Sequence, residues 1–264
     1  MKSAILTRRS AILTDVGAVV ERNYLVSRKN WSTLLSGMIE PILFLLSIGL
    51  GLGSLLGPVK VGDETVPYLA YFAPALMATS AMNGALYDST VNFFWKLRYR
   101  RLYKQLLSAP MNIEGIVVGE IIWAQIRGAV YAVVMLVVIG ICGGLRSPWA
   151  VLTVPAALLV GFAFAAIGVA ISTVMRSWQD LDPVRFGTLV LFLASGTFFP
   201  ASAYPAAIGY LVKVSPLYAS NELIRALCLG RVGVAQLLEV AYLVALTVVA
   251  LWIAVRRFGR LNAD

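Results

Sequence analysis

Long apolar stretches alternate with short basic segments along this chain, and no other feature of the sequence restricts its fold as strongly. Hydrophobic residues make up 59% of the 264 positions and charged residues only 13%, against about 45–50% and about 25% in soluble domains. A helix of ~20 apolar residues crosses the hydrocarbon core of a bilayer. The sequence therefore predicts an all-α polytopic membrane protein with a single transmembrane domain over residues 1–264.

The apolar stretches predict about six transmembrane helices, and the basic residues predict their orientation. The predicted spans are residues 32–56, 68–94, 113–141, 149–174, 186–199 and 237–255. Most of the 22 lysines and arginines fall in the segments on one side of these spans. Since short cytoplasmic segments accumulate Lys and Arg, we expect both termini in the cytoplasm.

The segment before the first span predicts an amphipathic helix over residues 10–30. Apolar side chains recur there at helical spacing, while acidic and basic side chains fall mostly on the opposite face. The apolar set is Ile12, Leu13, Val16, Val19, Val20 and Tyr24. Because the segment is too polar to cross a bilayer, we expect it to lie in the membrane interface.

The most basic part of the chain is the stretch WKLRYRRLYKQLLSAPMN, between the second and third spans. Its spacing predicts a second amphipathic helix over residues 95–110, with aromatic and leucine side chains on one face. Two interpretations stay open. The charges could serve only to fix the orientation of the neighbouring spans, or the helix could be an element that a cytoplasmic partner displaces.

Residues 200–234 are apolar but contain three prolines and several charges. Each interior proline removes a helical hydrogen bond, and a single crossing here would place the basic C-terminal segment outside. Two half-inserted helices that enter and leave on the outer face satisfy both constraints, provided that protein covers their backbone. This interpretation makes the segment a gate; the alternative is an ordinary surface loop.

Two charges lie within the third span. Glu120 and Arg127 are seven residues apart, about 10 Å along one helical face, and a charge at the bilayer centre costs at least about 2.5 kcal/mol. Neither should therefore face lipid. They could satisfy each other or a neighbouring helix, or they could line a polar path for a substrate.

Several kinds of site are excluded or disfavoured. The chain has no histidine, so imidazole bases and histidine metal sites are excluded, and Cys142 and Cys228 are too far apart in sequence for a metal-ligand motif. We expect no metal and no catalytic residue. The net charge of +9 is explained by the basic segments beside the spans, so nucleic acid is not an expected partner.

Motifs spread over nearly the whole chain resemble a known family. Those near the C-terminal end resemble the closing signature of type 2 ABC exporter permeases: Phe198-Phe199-Pro200, Pro205, Pro216-Leu217, Arg225 and Gly230. Those nearer the N-terminus resemble the nodulation-factor (NodJ-like) export permease branch: Arg22-Asn23-Tyr24-Leu25-Val26, Glu40-Pro41-Ile42, Met77-Ala78-Thr79-Ser80-Ala81-Met82, and Gly119-Glu120 with Trp123.

The resemblance implies the permease subunit of an exporter in a bacterial inner membrane. It implies a second permease chain, as a homodimer or a paired homologue, and two ATPase subunits that bind ATP and Mg. This chain has no G-x-x-x-x-G-K-[ST] motif of its own and should bind no cofactor. The implied substrate is an amphiphile: a glycolipid, a lipo-oligosaccharide or an apolar drug.

The resemblance also assigns roles to residues. Coupling to the ATPase is expected at Tyr99, Arg101, Leu102, Lys104 and Leu106, and the outer gate at Phe198, Phe199, Pro200, Pro216 and Arg225. Two alternatives remain: an ion- or proton-driven transporter, for which acidic residues within spans are typical, and a membrane-embedded enzyme. The enzyme is disfavoured because Glu40, Asp88 and Glu120 lie on different or distant segments.

Overall fold

The structure is a computed structural model and describes residues 2–28, 31–61, 64–98 and 111–261. Nearly all of this part of the chain is helical. The elements in chain order are α1 (Lys2–Ser27), α2 (Trp31–Phe44), a π-helix (Leu45–Leu52), α3 (Gly53–Leu56), β1 (Val59–Val61), β2 (Glu64–Val66), α4 (Tyr68–Arg98), α5 (Ile113–Ile141), α6 (Thr153–Ser172), α7 (Leu181–Leu193), α8 (Ala206–Val214), α9 (Pro216–Leu229) and α10 (Val234–Leu261). Short 3₁₀ turns cover Pro148–Leu152, Trp178–Asp180 and Ala201–Ala203.

Four of these helical stretches are long and apolar enough to cross a membrane. They are Met38–Leu56, Ile113–Ile141, Pro148–Ser172 and Val234–Arg260. α4 has 31 residues but is richer in small and polar side chains, and α7 has 13 residues, fewer than the ~20 of a typical span. The chain is thus an all-α membrane protein with one small β-hairpin.

The hairpin lies between the first two predicted spans, where the sequence analysis assigned no element. β1 and β2 pair antiparallel, with Val59 opposite Val66. The valines suit a strand, and Val66 is buried against Ala70 and Tyr71 at the start of α4.

Helix α7 differs at both ends from the predicted fifth span, residues 186–199. It begins five residues earlier because Ser177 and Asp180 form a capping box before it. It ends at Leu193, and the following turn places Gly196 at φ +65°, a conformation that few residues other than glycine adopt. Phe198 and Phe199 therefore lie outside the helix.

Other helix boundaries also differ from the predicted ones. Helix α4 continues through Trp95 to Arg98 without a break, so the first residues assigned to the basic helix belong to α4. The last helix, α10, is longer at both ends than residues 237–255. Segment 200–234 contains two helices, α8 and α9, joined at Ser215.

The core of the bundle is built on the contact between α4 and α6. A Cβ atom at Gly168 of α6 would lie 2.8 Å from the carbonyl oxygen of Leu86 on α4, so the two backbones touch. Small residues allow such close approach in membrane bundles. Helices α5, α9 and α10 pack around this pair, whereas α2 and α7 lie at its edge, with many exposed apolar side chains.

The bundle has two distinct ends. At the first, called the hairpin end, Arg231 donates to the Val61 carbonyl at 2.6 Å and to Glu64 at 2.5 Å. At the second, called the α1 end, α1 lies along the first turns of α5, and Phe93 of α4 contacts Phe258 of α10 at 5.3 Å between ring centroids.

Candidate functional site

A cavity of about 780 Å³ lies between the end of α1 and helices α2, α4, α5, α6 and α7. Methionine, alanine, valine and other aliphatic side chains form its apolar part. Its polar lining comes from Glu40, Ser80, Asn83, Tyr87, Asp88, Asn92, Gln125, Arg127, Tyr131, Arg185 and Thr188. A polar-lined cavity inside an otherwise apolar bundle is the arrangement in which membrane proteins place substrate and ion pathways.

An ion pair between Asp88 and Arg127 lies in the wall of this cavity. Arg127 Nη2 of α5 donates to Asp88 Oδ2 of α4, and Asn92 Nδ2 donates to the same carboxylate. The two charged side chains keep only 20% and 21% of their exposure. The Arg127 guanidinium also lies 6.0 Å from the Trp123 ring centroid. The charges thus compensate each other across two helices.

Glu120 makes a different ion pair, nearer the α1 end. Lys96 Nζ of α4 donates to Glu120 Oε2 at 2.6 Å, and Asn23 Nδ2 of α1 donates to the same oxygen at 3.1 Å. Glu120 is not among the cavity-lining residues. Of the two charges singled out in the third span, the cavity therefore contains only Arg127, and each charge pairs with α4.

Sequence reasoning did not identify the polar cavity residues of α4. On α5 it identified only Arg127. Asp88 was considered only as one of three acids too far apart for catalysis, and Gln125 and Tyr131 belonged to no motif. One signal was present: the second span is rich in Ala, Ser, Asn and Met and poor in Leu, a composition typical of a buried interface.

At the hairpin end, Arg225 of α9 is almost fully buried, with 1% exposure. Its Nε donates to the Tyr71 carbonyl at 3.1 Å and its Nη2 to the Gly196 carbonyl at 3.0 Å, while Nη1 pairs with Glu222. Its guanidinium lies 3.9 Å from the Tyr71 ring centroid. Arg225 thereby joins α9 to α4 and to the turn after α7.

The turn after α7 accepts further hydrogen bonds from side chains. Tyr71 Oη donates to the Gly196 carbonyl at 2.7 Å, and Asn221 Nδ2 donates to the Ser195 carbonyl at 2.8 Å and to Thr197 Oγ1 at 3.1 Å. Non-helical backbone at membrane depth needs such partners from protein. Covered irregular backbone of this kind is what a re-entrant segment requires.

The other predicted gate residues have different surroundings. Phe198 packs between Phe72 and Phe192, at centroid distances of 5.5 and 4.9 Å, whereas Phe199 is 53% exposed. Pro200 precedes a 3₁₀ turn. Pro216 is the first residue of α9, a position where its missing N–H costs nothing.

The predicted coupling residues lie outside the described part of the chain. They are Tyr99, Arg101, Leu102, Lys104 and Leu106. The residues just before them are described. The Trp95 ring lies 5.9 Å, between ring centroids, from that of Trp178, which belongs to the turn before α7. Among the described residues, no cluster of acidic or cysteine side chains could hold a metal ion.

Comparison with known proteins identifies the family. Residues 14–229 match the model of the ABC-2 type transporter family. The chain belongs to this family. The permease family expected from the sequence is thereby confirmed, and the chain is the transmembrane subunit of an ABC exporter.

Individual relatives agree with this assignment. The chain is 30% identical over 241 residues to Nodulation protein J of Sinorhizobium fredii, covering 90% of each protein. It is 31% identical over 218 residues to Nodulation protein J of Rhizobium leguminosarum bv. trifolii, covering 81% of this chain and 80% of the relative. The similarity to the nodulation-protein branch is therefore confirmed over most of the chain.

Proposed function

We propose that this ABC-2 permease exports an amphiphile across a bacterial inner membrane, using ATP hydrolysed by separate subunits. The single observation that carries the proposal is the family match over residues 14–229. The substrate class, a glycolipid, a lipo-oligosaccharide or an apolar drug, is inferred from the similarity to Nodulation protein J. The cavity suits an amphiphile because its walls combine methionines with amide, hydroxyl and charged groups.

In the proposed assembly, two permease chains, identical or homologous, pair with two ATPase subunits that bind ATP and Mg. Six spans are proposed, with α4 and α7 crossing together with the four apolar stretches. The α1 end faces the cytoplasm because the basic residues concentrate in α1, in residues 96–104 and after Val255. Helices α8 and α9 then form the outer gate, and Arg127 with Asp88 lines the substrate path.

Transport in reconstituted vesicles tests this function. The permease and its partner ATPase are placed in proteoliposomes, and a lipo-oligosaccharide with a fluorescent acyl chain is the probe. We expect transport that requires ATP and disappears when the ATPase carries a substitution of its catalytic glutamate. Transport that persists without ATP and is abolished by a protonophore would identify a proton-driven transporter and overturn the proposal.

The orientation and the coupling element have their own tests. In a Cys142→Ser, Cys228→Ser background, a cysteine at Lys60 should react with an impermeant maleimide in intact cells, and one at Lys104 should react only after permeabilisation. Replacing Tyr99, Leu102 and Leu106 by Asp should reduce transport with little change in permease abundance, because the apolar face could no longer seat against its partner. Full transport by that variant would leave the basic segment with a topological role only.

A further inference from the structure

Helix α1 lies in a groove that glycines on α5 create. A Cβ atom at Gly115 would lie 2.5 Å from Asp15 Cβ, and one at Gly119 would lie 2.8 Å from Val19 Cβ. Asp15 and Val19 are buried, with 9% and 2% exposure. Such close seating needs the absence of side chains on α5. α1 is therefore packed onto the permease body along one face.

The first polar contact of α1 is at the beginning of α5. Asp15 Oδ2 accepts hydrogen bonds from the backbone N–H of Asn112 at 2.9 Å and from Asn112 Nδ2 at 2.8 Å. Asn112 is the residue before α5, where a negative charge is favourable because of the helix dipole. In sequence, Asn112 follows the segment 99–110 almost directly.

The second polar contact of α1 is at the end of α4. Asn23 donates to Glu120 at 3.1 Å and accepts from Lys96 Nζ at 3.1 Å, and Lys96 donates to Glu120 at 2.6 Å. Asn23 and Glu120 are buried, with 4% and 9% exposure. Three helices thus share one charged and hydrogen-bonded cluster. Lys96 precedes the segment 99–110 by three positions.

The two contacts of α1 therefore bracket the segment expected to meet the ATPase. We propose that α1 is a clamp that fastens both ends of this segment, through Asp15 at the start of α5 and through Asn23 with Lys96 and Glu120 at the end of α4. The inference rests on the proposed function. Asp15, Asn23 and Glu120 are then positioning residues, and Glu120 acts by holding helices rather than by contacting substrate.

The physical consequence is joint movement of α4 and α5. These two helices carry Asp88 and Arg127 into the cavity wall. With both ends of the segment fixed to one rigid helix, a displacement by the ATPase moves α4 and α5 together. Without the clamp, the same displacement would be absorbed by bending at the helix ends, so ATP would be hydrolysed without moving the cavity wall.

The experiment compares ATP hydrolysis and transport in the reconstituted permease–ATPase complex. The variant is Asp15→Ala with Asn23→Ala, and the matched control is Glu21→Gln, an exposed acidic residue on the same helix. We expect the variant to assemble and hydrolyse ATP at nearly the wild-type rate while the number of substrates moved per ATP falls about tenfold, a size typical of coupling between sites. The control should keep the wild-type ratio.

An unchanged ratio in the assembled variant would overturn the clamp, as would a loss of transport that only follows the amount of complex. A wild-type complex without any ATP-dependent transport would instead contradict the proposed function. The second arm uses Lys96→Glu and Glu120→Lys. Each single change should uncouple the complex, and the double change, which restores an ion pair in reverse, should recover most of the coupling. A double variant as uncoupled as the singles would also refute the proposal.

Discussion

The Asp88–Arg127 pair allows a sharp test of how charge is held inside this bundle. Replacing Arg127 by Gln leaves Asp88 as an uncompensated carboxylate in a wall with about one fifth of its ordinary exposure. Removing one partner costs about 3–5 kcal/mol for a buried pair and about 0.2–1 kcal/mol for an exposed one. For this nearly buried pair we expect a loss of about 2–3 kcal/mol.

The expected loss can be measured as thermal stability. For a chain of this size, each kcal/mol shifts the midpoint by about 2–4 °C, so Arg127→Gln and Asp88→Asn should each lower the midpoint by about 4–12 °C. The double variant, which is neutral, should recover more than half of that loss. Fluorescence-detected size-exclusion chromatography after heating in detergent measures these midpoints.

Arg185→Gln is the matched control. Arg185 also lines the cavity, but its ion pair with Asp182 is exposed, at 54% and 74%, so its loss should cost less than about 1 kcal/mol. A double variant whose loss equals the sum of the two single losses would refute the reasoning, because it would show no energetic coupling between the two charges. The sequence left Glu120 open as a partner of Arg127, whereas the structure pairs Arg127 with Asp88 and Glu120 with Lys96.

Three other predictions follow from contacts at the two ends of the bundle. Gly119→Leu should detach α1, because its side chain would occupy the place of Val19, and a protease site inserted before residue 28 should then be cut faster than in the wild type. Arg225→Lys should lower the thermal midpoint and increase labelling of a cysteine at position 197. A lysine ammonium cannot replace the planar set of hydrogen bonds that Arg225 makes to two carbonyls and Glu222. Unchanged labelling would contradict the role of Arg225 in holding the turn after α7. The hydrogen bond and charge of Arg231 lower the pKa of Glu64, so the hairpin contact should stabilise at pH values above the ordinary glutamate pKa and be lost as pH falls through the lowered one. The protection factors of the β2 amides, which are exchange rates corrected for the intrinsic pH dependence of exchange, should therefore fall in acid, and Arg231→Gln should abolish that change.

The helices of this fold were largely readable from the sequence because apolar length and basic flanks determine where a chain crosses a bilayer. The end of α7 could not be predicted in this way, because it depends on a left-handed turn at Gly196. The apolar residues after this turn have the same composition as the span before it. Sequence hydropathy does not distinguish an apolar helix from an apolar turn whose carbonyls are covered by Tyr71, Asn221 and Arg225.

The charged contacts were harder still to predict. Asp15 belongs to the charged face of the amphipathic segment 10–30, yet its partner Asn112 lies 97 positions away, and no local pattern predicts a pairing over that distance. Arg225 was singled out by resemblance, but its contact with the Tyr71 carbonyl spans 154 positions. Local periodicity identifies which face of a helix is apolar, and only the packing of the bundle decides which polar residues on the other face become buried.

The π-helix at Leu45–Leu52 has a consequence for how this protein tolerates insertions and deletions. Its wider turns bring Gly49 against Leu69 and Gly53 against Tyr68, where added Cβ atoms would lie 2.9 and 3.2 Å from those side chains. Deleting one residue from this stretch would allow a regular α-helix and would leave Gly53 facing Tyr68, because seven α-helical residues at about 100° each turn about as far as the eight residues of this π-helix. This stretch should therefore tolerate the loss of one residue better than the gain of one, and a relative shorter by one residue can keep the same contact with the start of α4 through a regular α-helix.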